Sequence, residues 1–88
     1  MAFGAGASAV GDFAQAYGRT SHAEGYKTYA NAARSHTEGY STYTEGTAAH
    51  AEGYDTKAEG PYGSHSEGRG TRAIGIASHA EGYSTIAN

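Results

Sequence analysis

The chain has no Leu, no Cys and no Trp, and its large aliphatics amount to three Ile, one Val and one Met among 88 residues. Without Cys there is neither a disulfide frame nor a thiolate metal site, and the redox compartment is left open. So small a stock of bulky side chains cannot fill an ordinary globular core, at a length where folding alone is already marginal. No apolar run approaches the roughly 18–20 residues of a membrane helix, so no membrane insertion is expected. Met1-Ala2-Phe3-Gly4 has neither the basic start nor the apolar stretch of a secretion signal. A net charge of -3, with the signs scattered along the chain, offers no basic patch for nucleic acid. Fourteen Gly beside so few aliphatics is also the composition of a disordered segment.

Against disorder stands a strict internal repeat. Ser21-His22-Ala23-Glu24-Gly25 recurs in variant form at 35–39, 49–53, 64–68 and 78–82, and the histidines His22, His36, His50, His65 and His79 are separated by 14, 14, 15 and 14 residues. All five histidines of the chain occupy this one slot. Self-similarity at a fixed period is the signature of a repeat architecture. The chain reads as one repeat domain, 1–88, with a degenerate cap over 1–20 and repeats at 21–34, 35–48, 49–63, 64–77 and 78–88.

The unit at 35–48, SHTEGYSTYTEGTA, consists of two halves of the form small-x-small-x-Gly-x-x. Small residues at i and i+2 are the period of a β-strand with alternate side chains on one face. Gly after the second small residue supplies the positive φ or bend that ends each strand. A helix is excluded, because Gly every seven residues would cost about 1 kcal/mol each. The fold class is therefore all-β: a parallel β-solenoid, or β-roll, of 14-residue coils with two short strands apiece. At about 4.8 Å per coil, six coils make a rod roughly 30 Å long. Its interior is Ala, Ser and Thr, which explains the missing Leu. Pro61, Tyr62 and Gly63 give one unit a fifteenth residue, expected to bulge at a turn without shifting the inward register.

The outward slots of the first half carry His and Glu in all five copies: His22/Glu24, His36/Glu38, His50/Glu52, His65/Glu67 and His79/Glu81. Those of the second half scatter, from Tyr29/Asn31 to Ile86/Asn88, as a solvated face does. Uniformity implies a face held against something that also repeats. A thin slab buries little, so self-association around an axis is the expected remedy, with these ten residues as the interface and Ser8 and Val10 as its end layer. Rings of three symmetry-related His could ligate Zn or Ni, but dications stacked about 5 Å apart would repel strongly, and a structural His–Glu ladder without metal is the expectation. Five identical His/Glu pairs with no pocket make a poor active site, so no enzyme and no cofactor are expected.

Tyr26, Tyr40, Tyr54 and Tyr83 follow the first-half Gly, with Arg69 in the fourth copy. They read either as a ladder of rings stacked coil on coil or as an aromatic rail for carbohydrate or protein, and stacking is expected. Tyr29 and Tyr43, in variable slots, are the better candidates for surface binding. Thr28, Thr42, Thr56, Thr71 and Thr85 are spaced like the threonine arrays of ice-binding solenoids, but they fall in inward slots.

The small-x-small-x-Gly heptads resemble the head repeats of trimeric autotransporter adhesins. The fuller phrase Ser-His-Ala-Glu-Gly-Tyr-x-Thr resembles repeats in bacteriophage and prophage tail-fibre or appendage proteins, over essentially residues 2–88. The resemblance implies a left-handed parallel β-roll assembled as a homotrimer. In the adhesin heads the slots of His22 and Glu24 carry Val and Ile packed at the trimer axis. Here they are polar, and the analogous expectation is a hydrogen-bonded axis. The implied function is a rigid shaft or head of a phage tail fibre on the virion, touching a host-surface receptor. The alternative is an adhesin head on the bacterial surface, binding host matrix or cells.

Overall fold

Alternation of small and larger residues becomes strand wherever it recurs. In the computed structural model, which describes residues 2–88, the strands in chain order are β1 (Ser8–Val10), β2 (Gln15–Ala16), β3 (His22–Tyr26), β4 (Tyr29–Ala30), β5 (His36–Tyr40), β6 (Tyr43–Thr44), β7 (His50–Tyr54), β8 (Lys57–Ala58), β9 (His65–Arg69), β10 (Arg72–Ala73), β11 (His79–Tyr83) and β12 (Ile86–Ala87). Among the described residues there is no helix. Odd-numbered strands form one six-stranded sheet and even-numbered strands the other, each in chain order. Every pairing is parallel and joins equivalent positions one coil apart, so that His22 lies opposite His36, Glu24 opposite Glu38 and Tyr26 opposite Tyr40. This is the expected parallel solenoid. Its Cα extents are 30 × 23 × 9 Å. Six coils at about 4.8 Å account for the longest extent, and the shortest leaves room for one layer of small side chains between the sheets.

That layer follows the expected inward register. Ala23, Ala30, Ala51, Ala58 and Ala73 are fully buried, as are Thr28, Thr37, Thr42, Thr44, Thr56, Ser66 and Thr71. Methyl groups of this size contribute only about 0.8 kcal/mol each on burial. Coil-to-coil backbone bonds are the regular component, for example His36 N–H to Ala49 O at 2.9 Å and Tyr43 N–H to Thr56 O at 3.0 Å. Serines of the repeated phrase tie the corners: Ser21 Oγ donates to Gly18 O at 2.6 Å and Ser35 Oγ to Ala32 O at 2.7 Å. Other hydroxyls are left over, since Oγ1 of Thr28, Thr37, Thr42 and Thr56 is buried without a hydrogen-bond partner.

The corners differ from the sequence expectation. In β3, β5, β7, β9 and β11 the Gly has the expected positive φ, yet the strand runs one residue further, as β7 does through Gly53 to Tyr54; β1 stops at Val10, before Gly11. The corner then falls at Lys27, Ser41, Asp55, Gly70 or Ser84, with φ between 54° and 64°. In the second half the left-handed residue sits two places after the Gly slot, at Thr20, Arg34, Ala48, Tyr62 and Ala77. For non-Gly residues such a conformation costs about 1 kcal/mol or more. It persists because the corner amides are used, with Ser41 N–H donating to Tyr26 O at 2.9 Å and Ala48 N–H to Ala33 O at 2.9 Å. Gly53 has a different job: its φ is 112°, and a Cβ there would stand 2.1 Å from Gly68 O in the next coil. Residues 61–63 form a turn, with Tyr62 exposed, and His50 still lies opposite His65 despite the extra residue.

Candidate functional site

Because strand side chains alternate, the residues flanking each buried Ala, Ser or Thr in β3, β5, β7, β9 and β11 point outward and stack along the rod. The five imidazoles form one continuous column. Centroid separations run 4.9, 4.7, 4.6 and 4.6 Å from His22 to His79, and the interplanar angle narrows from 29° to 1°. Glu24, Glu38, Glu52, Glu67 and Glu81 run alongside as a second column in the same register. All ten residues expected at an interface therefore share one face.

Within each strand, His Nε2 faces the Glu carboxylate two residues on. The separations are 3.5 Å for His22–Glu24, 3.7 Å for His36–Glu38, 3.6 Å for His50–Glu52, 3.5 Å for His65–Glu67 and 3.7 Å for His79–Glu81. These are ion-pair distances, longer than a hydrogen bond. Nε2 of His36, His50 and His65 is accordingly buried with no hydrogen-bond partner. Glu67 also spans coils, with Oε1 3.8 Å from His79 Nε2 and Oε2 3.5 Å from His65 Nε2. Four overlapping triads result, in which a His, its Glu and the next His each bring a ligand atom within 4.8 Å of the others: 22/24/36, 36/38/50, 50/52/65 and 65/67/79.

The column's electrostatics follow from this stacking. Burial pushes the His50 imidazole below its ordinary pKa, and the neighbouring His65 and His36 rings add to the shift, against an upward pull from Glu38 and Glu67. Glu67 is held below the usual carboxylate range, mainly because the Glu52 and Glu81 carboxyls can donate to it once they are protonated, and less by attraction to His65. The side chains are nevertheless only partly covered, His50 being 34% and Glu52 33% exposed.

The tyrosines are both stacked and accessible. Tyr26, Tyr40 and Tyr54 stack at 5.1 and 4.9 Å, and the Arg69 guanidinium bridges to Tyr83, lying 5.3 Å from the Tyr54 ring and 5.4 Å from the Tyr83 ring. The expected ladder is present, with Arg69 as a cationic rung. Its outer edges remain exposed at Tyr40, Tyr54 and Tyr83. On the other sheet Tyr29 and Tyr43 meet edge to face at 6.5 Å, and the Tyr43 hydroxyl donates to Glu45 at 3.2 Å. With Lys27, Lys57 and Glu59 they border a shallow groove. Burial, then Glu45, raises the Tyr43 pKa. The groove's charged rim and the 2.8 Å Arg72–Glu59 ion pair are absent from the sequence reading. Their only signal is opposite charge in outward slots of adjacent coils. No family model, no curated protein and no solved structure matches this chain.

Proposed function

We propose that the chain is a structural segment of a trimeric fibre, a rigid shaft or head of a bacteriophage tail fibre or appendage carried on the virion. The observation behind this reading is the His/Glu column, ten side chains repeated without exception in five coils, half-exposed on one chain, with unpartnered imidazole nitrogens at its centre. A slab with an Ala/Ser/Thr interior buries too little apolar surface to stand well alone. Three copies meeting along this face would cover the column and give its polar atoms partners across the axis. Its work is to hold a repetitive surface at a distance, with the tyrosine rail and the Tyr29/Tyr43 groove facing outward toward a host-surface carbohydrate or protein. It performs no catalysis. A second reading, an adhesin head on the bacterial surface, is favoured by Val10. This residue takes the Glu24 slot one coil earlier and is exposed, like the apolar axis residues those heads carry. Sedimentation equilibrium tests the assembly. The expected mass is three times the 9.0 kDa chain, and a folded monomer at micromolar concentration overturns the reading.

A further inference from the structure

We propose that the His/Glu column is a binding site for divalent transition ions of the Zn2+ class, filled at every second coil, with each ion held by a single chain. This inference does not rest on trimer assembly, because each triad's ligands come from two adjacent coils of one molecule.

The donor set comes first. Each triad offers two imidazoles and one carboxylate within 4.8 Å. Two nitrogens and one oxygen suit a borderline ion such as Zn2+, whereas Ca2+ and Mg2+ want more oxygens. Zn–N and Zn–O bonds of about 2.0–2.2 Å put tetrahedral ligand atoms about 3.4 Å apart. The His Nε2 to Glu separations of 3.5–3.8 Å, across a coil boundary at Glu67 as well as within strands, are already close to that. The remaining adjustment is a tilt of neighbouring rings toward each other, and His22 and His36 are already 29° from parallel. The second observation is the set of buried, unpartnered Nε2 atoms at His36, His50 and His65, directed at the carboxylate column. With neutral imidazoles the column carries five carboxylates, an attractive field for a dication.

Stoichiometry follows from the overlap. A neutral imidazole gives one ring nitrogen lone pair to one ion. Triads that share a His therefore exclude each other. Five histidines in a row supply at most two separate neighbouring pairs, so a chain holds two ions and one spare His. Filled triads need not be contiguous, and two coils between ions, about 9.6 Å, halves the repulsion that forbids an ion at every level.

The same counting predicts an alternation. Removing His36 leaves His22 isolated and only His50, His65 and His79 in a row, which accommodate one ion. Removing His50 leaves two intact pairs, 22/36 and 65/79, which still accommodate two.

The experiment uses the full chain, stripped with EDTA and dialysed, titrated with Zn2+ by calorimetry and with Co2+ by visible absorption, and read as ions per chain. The expected values are two for the native chain, one for His36→Asn and two for His50→Asn, with tetrahedral Co2+ bands in all three. His65→Asn and His22→Asn repeat the contrast, at one and two ions, should either first variant lose its strand circular dichroism signal. Equal stoichiometry in the paired variants, or no binding at micromolar metal, overturns the proposal. Loss of one ion per three chains whichever histidine is removed also overturns it, since that would mean each ion is shared around an axis.

Discussion

Gly53 and Gly63 both have positive φ, at 112° and 78°, yet their surroundings are opposite. A Cβ on Gly53 would stand 2.1 Å from Gly68 O and 3.0 Å from Gly68 N, whereas a Cβ on Gly63 meets nothing within 4 Å. Relieving the contact at Gly53 requires the facing coil to move by about 1 Å, enough to lose two or three ladder bonds at about 1 kcal/mol each. The φ of 112° lies beyond the left-handed well and adds about 1–2 kcal/mol for Ala. Gly53→Ala should thus cost about 3–5 kcal/mol. For Gly63→Ala a left-handed penalty of about 1 kcal/mol is offset by about 0.4–1 kcal/mol of lost freedom in the unfolded chain, leaving little net change. At about 4–8 °C per kcal/mol for a domain of this size, Gly53→Ala lowers Tm by at least about 12 °C and Gly63→Ala by less than about 5 °C. Thermal melts followed by circular dichroism at one chain concentration measure both. If the two variants melt within a few degrees of each other, φ alone sets the requirement for Gly, and the close approach of coils is refuted.

The interior hydroxyls separate in a similar way. Thr42 Oγ1 has no partner, while Thr71 Oγ1 donates to Glu67 O at 3.2 Å and accepts from Ser66 Oγ at 2.6 Å. Thr42→Val should be neutral or stabilise by up to about 1 kcal/mol, and Thr71→Val should cost about 1–3 kcal/mol; urea midpoints that rank them the other way contradict this packing. Stability should also fall with acid. Folding depresses the pKa of His50, which faces His36, His65, Glu38, Glu52 and Glu67, so the unfolded chain binds protons first as pH drops. The contribution is complete above the unfolded pKa, near 6.5, and is lost as pH falls through the folded value. Melts in EDTA from pH 7.5 to 4.5 should show a falling Tm with a shallower slope for His50→Asn; a Tm that holds or rises from pH 7 to 5.5 contradicts the sign.

Most of the fold is legible in the sequence because one constraint repeats. Ser35, Thr37, Thr42 and Thr44 are small at period two, and the same phase in five copies leaves only one way to stack them. The corners are not legible, since Lys27, Ser41 and Ala48 hold left-handed conformations their side chains do not advertise; coil-to-coil hydrogen bonds hold those conformations in place. The His/Glu face is readable as a face. Its internal geometry is not, because the 3.8 Å approach of Glu67 to His79 is a contact between coils. That contact depends on rotamers which strand periodicity leaves open. Likewise Arg69, one substitution in a row of Tyr, becomes a cation bridging two rings only once the strands are in register.

The coil containing Pro61 carries a further consequence. Fifteen residues separate His50 from His65, yet the two face each other as the other pairs do across fourteen. The surplus is absorbed at the Pro61–Gly63 corner, where Tyr62 is exposed while Gly63 N–H still donates to Thr47 O of the adjacent coil at 3.0 Å. Residues inserted beside the exposed Tyr62, with the Gly63 bond kept, cost mainly closure entropy, about 0.6 kcal/mol per doubling of loop length. This corner is thus a grafting point. A rod of interchangeable levels has no landmarks along its length, and a loop here marks one level. An insertion there can vary while the stacked strands beneath stay constant.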